Sequence, residues 1–262
     1  TIVGTTNACP PPSVFLSPSG SDANNCSATA PCQTLDRGYR AAAPGAVVQL
    51  AGGSYPGGTV GNDPSKNSAT QRVVLAAAPG ATVSTGDLNI DAQHIEFRDI
   101  SMSLWQTSPQ AADVMFRNVA QKLFYINSSR QIALVGGSAG PSVNAHPQIQ
   151  SDITTPPRDI LIDGVAFHDF TRNDPNVHTE CLQVGAGDGL TIRNSTFRNC
   201  HATANIGLGH WGPSPDTKNV TIENNFFSST VDGYYSIQAN AVENMLIRNN
   251  SATQAILVMP FS

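Results

Sequence analysis

One short pattern recurs along the chain and limits what it can become. Its copies are IEFRDISM from Ile95, VMFRNVA from Val114, IALVGGS from Ile132, ILIDGVAF from Ile160, LTIRNSTF from Leu190, VTIENNFF from Val220 and MLIRNNSA from Met245. Their starts lie 19, 18, 28, 30, 30 and 25 residues apart. In each copy the first and third residues are apolar, the period of a strand with one buried face. The fifth residue is Asp99, Asn118, Gly136, Gly164, Asn194, Asn224 or Asn249. These types tolerate left-handed backbone and bond their own main chain, so each copy predicts a short strand that turns a corner. Strands recurring at roughly 20–30 residues suit a solenoid whose coils stack in parallel, not an antiparallel sandwich.

The chain therefore reads as all-β: a single-domain right-handed parallel β-helix over residues 1–262. Residues 1–13 form an N-terminal extension, 34–44 a short capping helix and 45–262 the coils. Phe167, Phe197 and Phe227 fall at the eighth place of successive copies and predict an internal ladder. A second strand aligns through HPQIQ, ECLQVGA, NIGLGHW and YSIQANA. With Ile149, Leu182, Ile206 and Ile237 inward, alternation sends Gln148, Gln150, Gln183, Asn205, Ser236 and Gln238 to an outer polar wall. A one-residue slip would reverse every one of these directions. TLDRGYRAAAPG predicts a helix over 35–43, capped by Thr34 and stopped before Pro44, covering one open end. At the other end AILVMPFS is apolar, so either a partner covers it or the chain was cut from a longer one; monomer, end-to-end and trimeric arrangements stay open.

Charged residues make up only 13% of the chain, beside 22 glycines and 18 prolines, which disfavours a helical bundle. A net charge of −5 provides no basic field for a phosphate backbone, so nucleic acid is not an expected partner. A local arginine cluster could still hold an acidic polysaccharide. No apolar run approaches the roughly 20 residues that span a bilayer, so membrane insertion is not expected. The opening TIVGTTNACPPP has neither the charged nor the apolar part of an export leader, as expected if a leader has been removed. Of five cysteines, Cys26 and Cys32 close a small loop in NNCSATAPC, and Cys181 and Cys200 sit near strands of successive coils where a bridge could span them. Cys9 is left over. No CxxC or HxH pair supports zinc, and disulfides point to an extracellular, secreted protein.

The stretch VFLSPSGSDANNCSATAPCQTLDRGYRAAAPGAVVQLAGGSYPG, followed by the repeats, resembles the N-terminal pattern of secreted bacterial right-handed β-helix proteins, a superfamily that includes polysaccharide lyases and epimerases. The combination of ILIDGVAFHDF, HTECLQVGAGDGLTIRNSTFRNC and VTIENNFF is similar to actinobacterial members of unassigned activity. The resemblance covers most of residues 14–254 and implies the fold. It does not include the calcium signature or the paired lysine and arginine of well-known lyases of this fold.

The longest loops, 137–158, 168–180, 200–218 and 228–243, follow one strand position and should rise from one side as a cleft wall. They carry His146, His168, His178, Glu180, His201, His210, Trp211, Lys218, Tyr234 and Tyr235, with Asp169, Arg172 and Asp174. A lyase or epimerase acting on a uronic acid needs a base beside the carboxyl group, a cation for the enolate and an acid for the leaving oxygen. His178 or His201 offers the base, Lys218 or Arg172 the cation and Tyr234 or Tyr235 the acid. His178 and Glu180, two apart in NVHTEC, form the most suggestive short cluster; alternatively Glu180 binds backbone donors and orients His178 or Arg193. The catalytic candidates are thus His178, Glu180, His201, Lys218 and Tyr234. The substrate-binding candidates are Arg172, His210, Trp211, Tyr235, Gln150, Gln183 and Gln238.

Asp169 or Asp174 with Glu180 is the one carboxylate grouping that suits a glycoside hydrolase. Asp152, Asp169, Asp174, Glu180 and Asp188 offer oxygen ligands for calcium, although no EF-hand or nonapeptide pattern appears and loop solvation is their expected role; no other cofactor is expected. Arg98, Arg117, Arg193 and Arg248, at the fourth position of their copies, should stack outside as a ladder. Three functions stand open: a secreted carbohydrate-active enzyme, a polysaccharide lyase or epimerase on an acidic polymer; a glycan-binding or adhesive solenoid; and a structural spike module.

Overall fold

The computed structural model describes residues 10–150, 155–174, 176–177, 179–201, 204–209, 217–228 and 235–259. Every copy of the repeat is a strand, and the copies stack as the spacing predicts. Ile95, Val114, Ile132, Ile160, Leu190, Val220 and Met245 occupy one register row, each paired in parallel with the next. With Val14–Leu16, Val47–Leu50 and Val73–Ala77 added upstream, these strands form a ten-stranded parallel sheet among the described residues, here face 1. After the corner the chain enters face 2, represented by Ala166–Thr171, Thr196–Cys200 and Phe226–Phe227. It then enters face 3, which runs through Gly58–Val60, Leu88–Ile90, Gln148–Gln150, Leu182–Val184, Ala204–Leu208, Tyr235–Asn240 and Ala255–Met259. Ser101–Thr107 and Ala120–Asn127 are long enough to serve faces 2 and 3 in one strand. The architecture is the right-handed parallel β-helix.

All seven corner residues are left-handed, with φ from 51° to 71°. A second left-handed position escapes the sequence pattern. His94, Asp113, Gln131, Asp159, Gly189, Asn219 and Asn244 stand immediately before the first apolar residue of each copy, with φ from 52° to 78°. The strand therefore kinks on entry to face 1 as well as on exit. Asparagine stabilises both kinks by bonding to the coil before: Asn194 Nδ2 donates to Asp163 Oδ1 at 2.7 Å and Asn219 Nδ2 to Asp188 Oδ1 at 2.7 Å.

The interior is a column of stacked side chains. Phe167, Phe197 and Phe227 stack at 4.7 and 4.9 Å between centroids, as predicted, and the column continues upstream through Phe124, Trp105, Phe116 and Phe97. Beside it, at the residue after the corner, the core changes from apolar Val165 to Ser195, Asn225 and Asn250. Asn225 is buried; its Oδ1 accepts from the Ser195 backbone N–H at 2.9 Å and its Nδ2 donates to the Ile192 carbonyl at 3.0 Å. Asn225→Ala should cost about 2 kcal/mol in a denaturant titration, because it strands both backbone groups away from water. A loss within the scatter of surface substitutions would mean water replaces the amide.

The helix α1 spans Leu35–Ala41, two residues shorter than the expected 35–43, because Ala42 leaves helical geometry with φ −83° and ψ 138°. Thr34 caps it by accepting from the Arg37 N–H, and Tyr39, fully buried, donates to the Gln93 carbonyl at 2.7 Å. Gly38 sits so close to Leu16 and Val48 that a methyl group there would clash, so the helix lies directly on the first coils. Lys66 is buried beneath it, 5.0 Å from the Tyr39 ring centroid and ion-paired with Asp63. Burial pushes the Asp63 carboxyl up, but hydrogen bonds from Lys66 and Ser65 outweigh it and hold the group at about 2, below the ordinary 3.8. With the folded value depressed, the pair stabilises the fold above about pH 4 and that contribution is lost as pH falls through about 2. An acid titration of wild type against Asp63→Asn should show the two stability curves converging over that interval.

Both disulfides form: Cys26 to Cys32 with Cα atoms 4.7 Å apart, and Cys181 to Cys200 at 5.6 Å. Cys9 lies outside the described residues. The arginine ladder needs correction. Arg98 and Arg117 are register neighbours on adjacent coils, as expected, but both also bond the buried Glu96, at 2.7 and 3.0 Å. Downstream the outward row reads Asp163, Arg193, Glu223, Arg248 on successive coils. Each cation is paired with the acid of the coil before, Arg193 at 2.8 Å and Arg248 at 2.7 Å. Alternation removes the repulsion that a like-charge ladder would carry. Among the described residues no helix is long and apolar enough to cross a membrane.

Candidate functional site

Face 3 carries one outward row along its length. Register pairing links Thr59, Asn89, Gln106, Tyr125, Gln148, Gln183, Gly207, Gln238 and Leu257 in order. Alternation explains it: the flanking positions, among them Ile90, Trp105, Ile149, Val184 and Ile206, are buried. The second-strand alignment is thus right in register for Leu182, Ile206 and Ile237, and wrong only where it joins Ile149 to them. Ile149 pairs with Val184, not with Leu182, a slip of two residues that preserves which side faces in. Asn205 and Ser236 are corrections: both are fully buried, Asn205 donating to the Ser228 carbonyl at 2.9 Å and Ser236 to the Gln254 carbonyl at 3.2 Å.

The expected one-sided loop wall also divides in two. Residues 172–181 connect face 2 to face 3, whereas 151–157 and 209–216 connect face 3 to face 1. Face 3 thus lies between the two sets in chain order, and its outward row is the floor of the candidate site.

The structure draws part of the candidate set together on this floor. Glu180 is buried and its chain lies over Gly207, where an added methyl would approach Glu180 Cγ to 3.4 Å. A larger residue in place of Gly207 would crowd the carboxylate off the wall. One rung upstream, Gln183 Oε1 lies 2.8 Å from Nε2 of the buried His146, and Gln148 Nε2 approaches the same nitrogen at 3.2 Å. Among the described residues His146 Nδ1, which is buried, has no hydrogen-bond partner. Glu180 thus touches Gly207 and His146 touches Gln183, two positions paired on adjacent rungs of face 3. The tether is local: Cys181, next to Glu180, is bridged to Cys200, and Thr179 Oγ1 donates to the His201 carbonyl at 2.6 Å. His201 is thereby held beside the bridge, its own N–H donating to the Phe170 carbonyl. Arg172 donates to the Val177 carbonyl at 3.1 Å within the same return.

Gln238 stands on the rung beyond Gly207, Tyr235 begins the same strand, and Gln150 donates to Asn127 Oδ1 at 3.0 Å in the neighbouring outward row. Lys218 is separate: it lies on the strand leading into face 1, in register with Asp188 and Glu243, with Nζ 3.9 Å from Asp188. His178, Tyr234, His210 and Trp211 lie outside the described residues.

Among the described residues the calcium candidates do not gather at one point. Asp169 is held by His168 at 2.9 Å and by Asn199, which keep its carboxyl below the usual range. Asp188 bonds Asn219 and Asp174 bonds Asn176, while Asp152 is outside the described residues. Among the described residues no three His, Cys, Asp or Glu side chains gather as a metal site. The cleft on face 3 includes residues that the repeat does not reveal. A hollow of about 430 Å³ opens over its upstream rungs, against Thr59, Asn89, Asp91, Gln106, Ser108 and Asn127. The polar member of each alternating pair in LNI, WQT and YIN was the available signal.

No family model matches the sequence, and no curated protein matches it. Among solved structures, the chain is similar to an alginate lyase from Paenibacillus sp. str. FPU-7, with a TM-score of 0.58 and 12% identity over 94% of this chain and 98% of that one. A mannuronan C-5 epimerase A-module of Azotobacter vinelandii aligns with a TM-score of 0.40 and 13% identity, covering 87% and 94%. The first of these likenesses, at so low an identity, shows that the chain has the parallel β-helix fold of that lyase.

Proposed function

We propose that the chain is a secreted carbohydrate-active β-helix that lays a polysaccharide along face 3 and acts on an acidic one by lyase or epimerase chemistry. The observation that carries this reading is the pair of adjacent rungs on the downstream part of face 3, one under Glu180 and one bearing the His146–Gln183 contact. In either reaction a base takes the proton beside the sugar carboxyl and the electron pair moves into that group as an enolate. Elimination then breaks the bond to the leaving oxygen, which takes a proton; epimerisation returns a proton to the opposite face. Glu180 is assigned the proton transfer, and Gln183, aligned by His146, holds the sugar. Arg172, in the same return, is the described cation nearest in sequence to Glu180. Secretion accords with the two disulfides, and the structurally similar Paenibacillus protein is an alginate lyase.

The test is turnover of alginate, polygalacturonate and glycosaminoglycans, followed by unsaturated-uronate absorbance and by solvent deuterium entering the sugar ring. Glu180→Gln should lower the rate about 10²-fold or more without changing the unfolding transition. No absorbance and no exchange on any polymer would defeat the enzyme reading. One observation favours a second reading, a glycan-binding solenoid without chemistry: the outward row consists mainly of amides and hydroxyls and contains no lysine or arginine.

A further inference from the structure

The hollow over the upstream rungs is chemically unlike a site for a polyanion. We propose that it is a binding site for a neutral, hydroxyl-rich glycan, distinct from the rungs bearing Glu180 and independent of whether those rungs carry out chemistry. Its volume of about 430 Å³ falls within the range of small-ligand sites. Asn89, Gln106 and Asn127 present amides, each with both donors and an acceptor, the same mixed complement that a sugar hydroxyl offers. Thr59 and Ser108 add hydroxyls, and Asp91 adds a carboxylate that can accept from two neighbouring sugar hydroxyls at once.

The site is built as a lattice rather than as separate side chains. Gln106 Nε2 donates to Asn89 Oδ1, and Gln150 Nε2 to Asn127 Oδ1, so the amides are oriented before any ligand arrives. Consecutive rungs repeat at ~4.8 Å, so hydrogen-bonding groups are offered at regular intervals along an extended chain. Charge selects the class of sugar. The hollow is lined by Asp91 and by no lysine, arginine or histidine, and the adjoining recess that shares Thr59 adds a second carboxylate, Asp36. Asp36 is itself paired with Arg40 at 2.8 Å. A uronate entering here would lose water around its carboxylate and meet another carboxylate in return.

Affinity electrophoresis and calorimetry of the full chain with mixed-linkage β-glucan, galactomannan and arabinoxylan, beside alginate and polygalacturonate, test the proposal. At least one neutral polymer should bind, with an affinity that does not change between low and high salt. Substituting Asn89→Ala and Gln106→Ala together, both exposed positions, should weaken that binding about tenfold or more. Asp91→Lys should weaken it too and introduce salt-sensitive retention of alginate. Glu180→Gln should leave neutral-polymer binding unchanged, which separates this site from the proposed reaction. Failure of every neutral polymer to bind, binding indifferent to the double substitution, or its loss in Glu180→Gln would each overturn the assignment. So would wild-type retention of alginate that the double substitution abolishes.

Discussion

Phe197→Ala should lower the unfolding free energy by about 3–5 kcal/mol, one of the largest effects of a single side-chain truncation in this protein. Phe197 is fully buried and stacked on both sides, against Phe167 at 4.7 Å and Phe227 at 4.9 Å. Neither neighbour can fill the gap, because each is fixed by the register of its own coil. Removing the ring forfeits its transfer from water and the contacts of two other rings. Phe226→Ala, one residue before the ladder's last member, supplies the control. Phe226 is 40% exposed and lies beside the Arg198 guanidinium, so its loss should stay within about 0.5 kcal/mol. Urea titrations of both variants decide the matter. A Phe197→Ala loss near 1 kcal/mol would mean that the coils slide to close the cavity and that the stack is not a rigid column.

Removing the Cys181 to Cys200 bridge by double alanine substitution should cost about 3 kcal/mol, through the freedom regained by the unfolded chain. The Cys26 to Cys32 bridge closes a separation of 6 residues rather than 19, so its removal should cost about 1 kcal/mol less. The two variants differ in a second way. Cys181 is adjacent to Glu180, and the bridge fixes where the return from face 2 meets face 3. The downstream variant should therefore lose polysaccharide turnover at a temperature where it is still folded, whereas the upstream one should keep it. Equal effects on turnover would show that the bridge contributes to stability alone. Thermal unfolding followed by circular dichroism, with assays well below each transition, separates the contributions.

The parts of the fold that were legible in the sequence are those where one residue type answers one physical demand. Left-handed corners select Asp, Asn or Gly, and the fifth-position residues from Asp99 to Asn249 display that choice. Buried alternation selects Ile, Val and Leu, so the row through Ile95 and Val220 was readable to the residue. The entry kink was missed although Asp113, Asp159, Gly189, Asn219 and Asn244 are of the same types, because His94 and Gln131 interrupt the row and break its pattern. The arginine ladder failed for a different reason. Attention to the fourth position collected its cations and passed over Asp163 and Glu223 in the same column, which stacking makes their neighbours.

At the site, Glu180 and Gln183 were visible as residues but the meeting of Gln183 with His146 was not. That contact joins positions 37 apart through a loop whose length breaks the repeat. Lys218 was drawn into the same group by sequence proximity to the long loops, whereas its strand belongs to face 1. The upstream cleft was missed because Asn89 and Gln106 lie outside the recurring pattern.

The alternating row Asp163, Arg193, Glu223, Arg248 gives this stretch of the solenoid a parity. Duplicating or deleting one coil inside it would bring two like charges onto adjacent rungs, whereas adding or losing two coils would leave the pattern intact. Length in this region is thus constrained to change in even steps. A variant lengthened by a single repeat would need a charge reversal elsewhere in the row to recover its stability, so the row records how many coils have been laid down as well as holding neighbouring ones together.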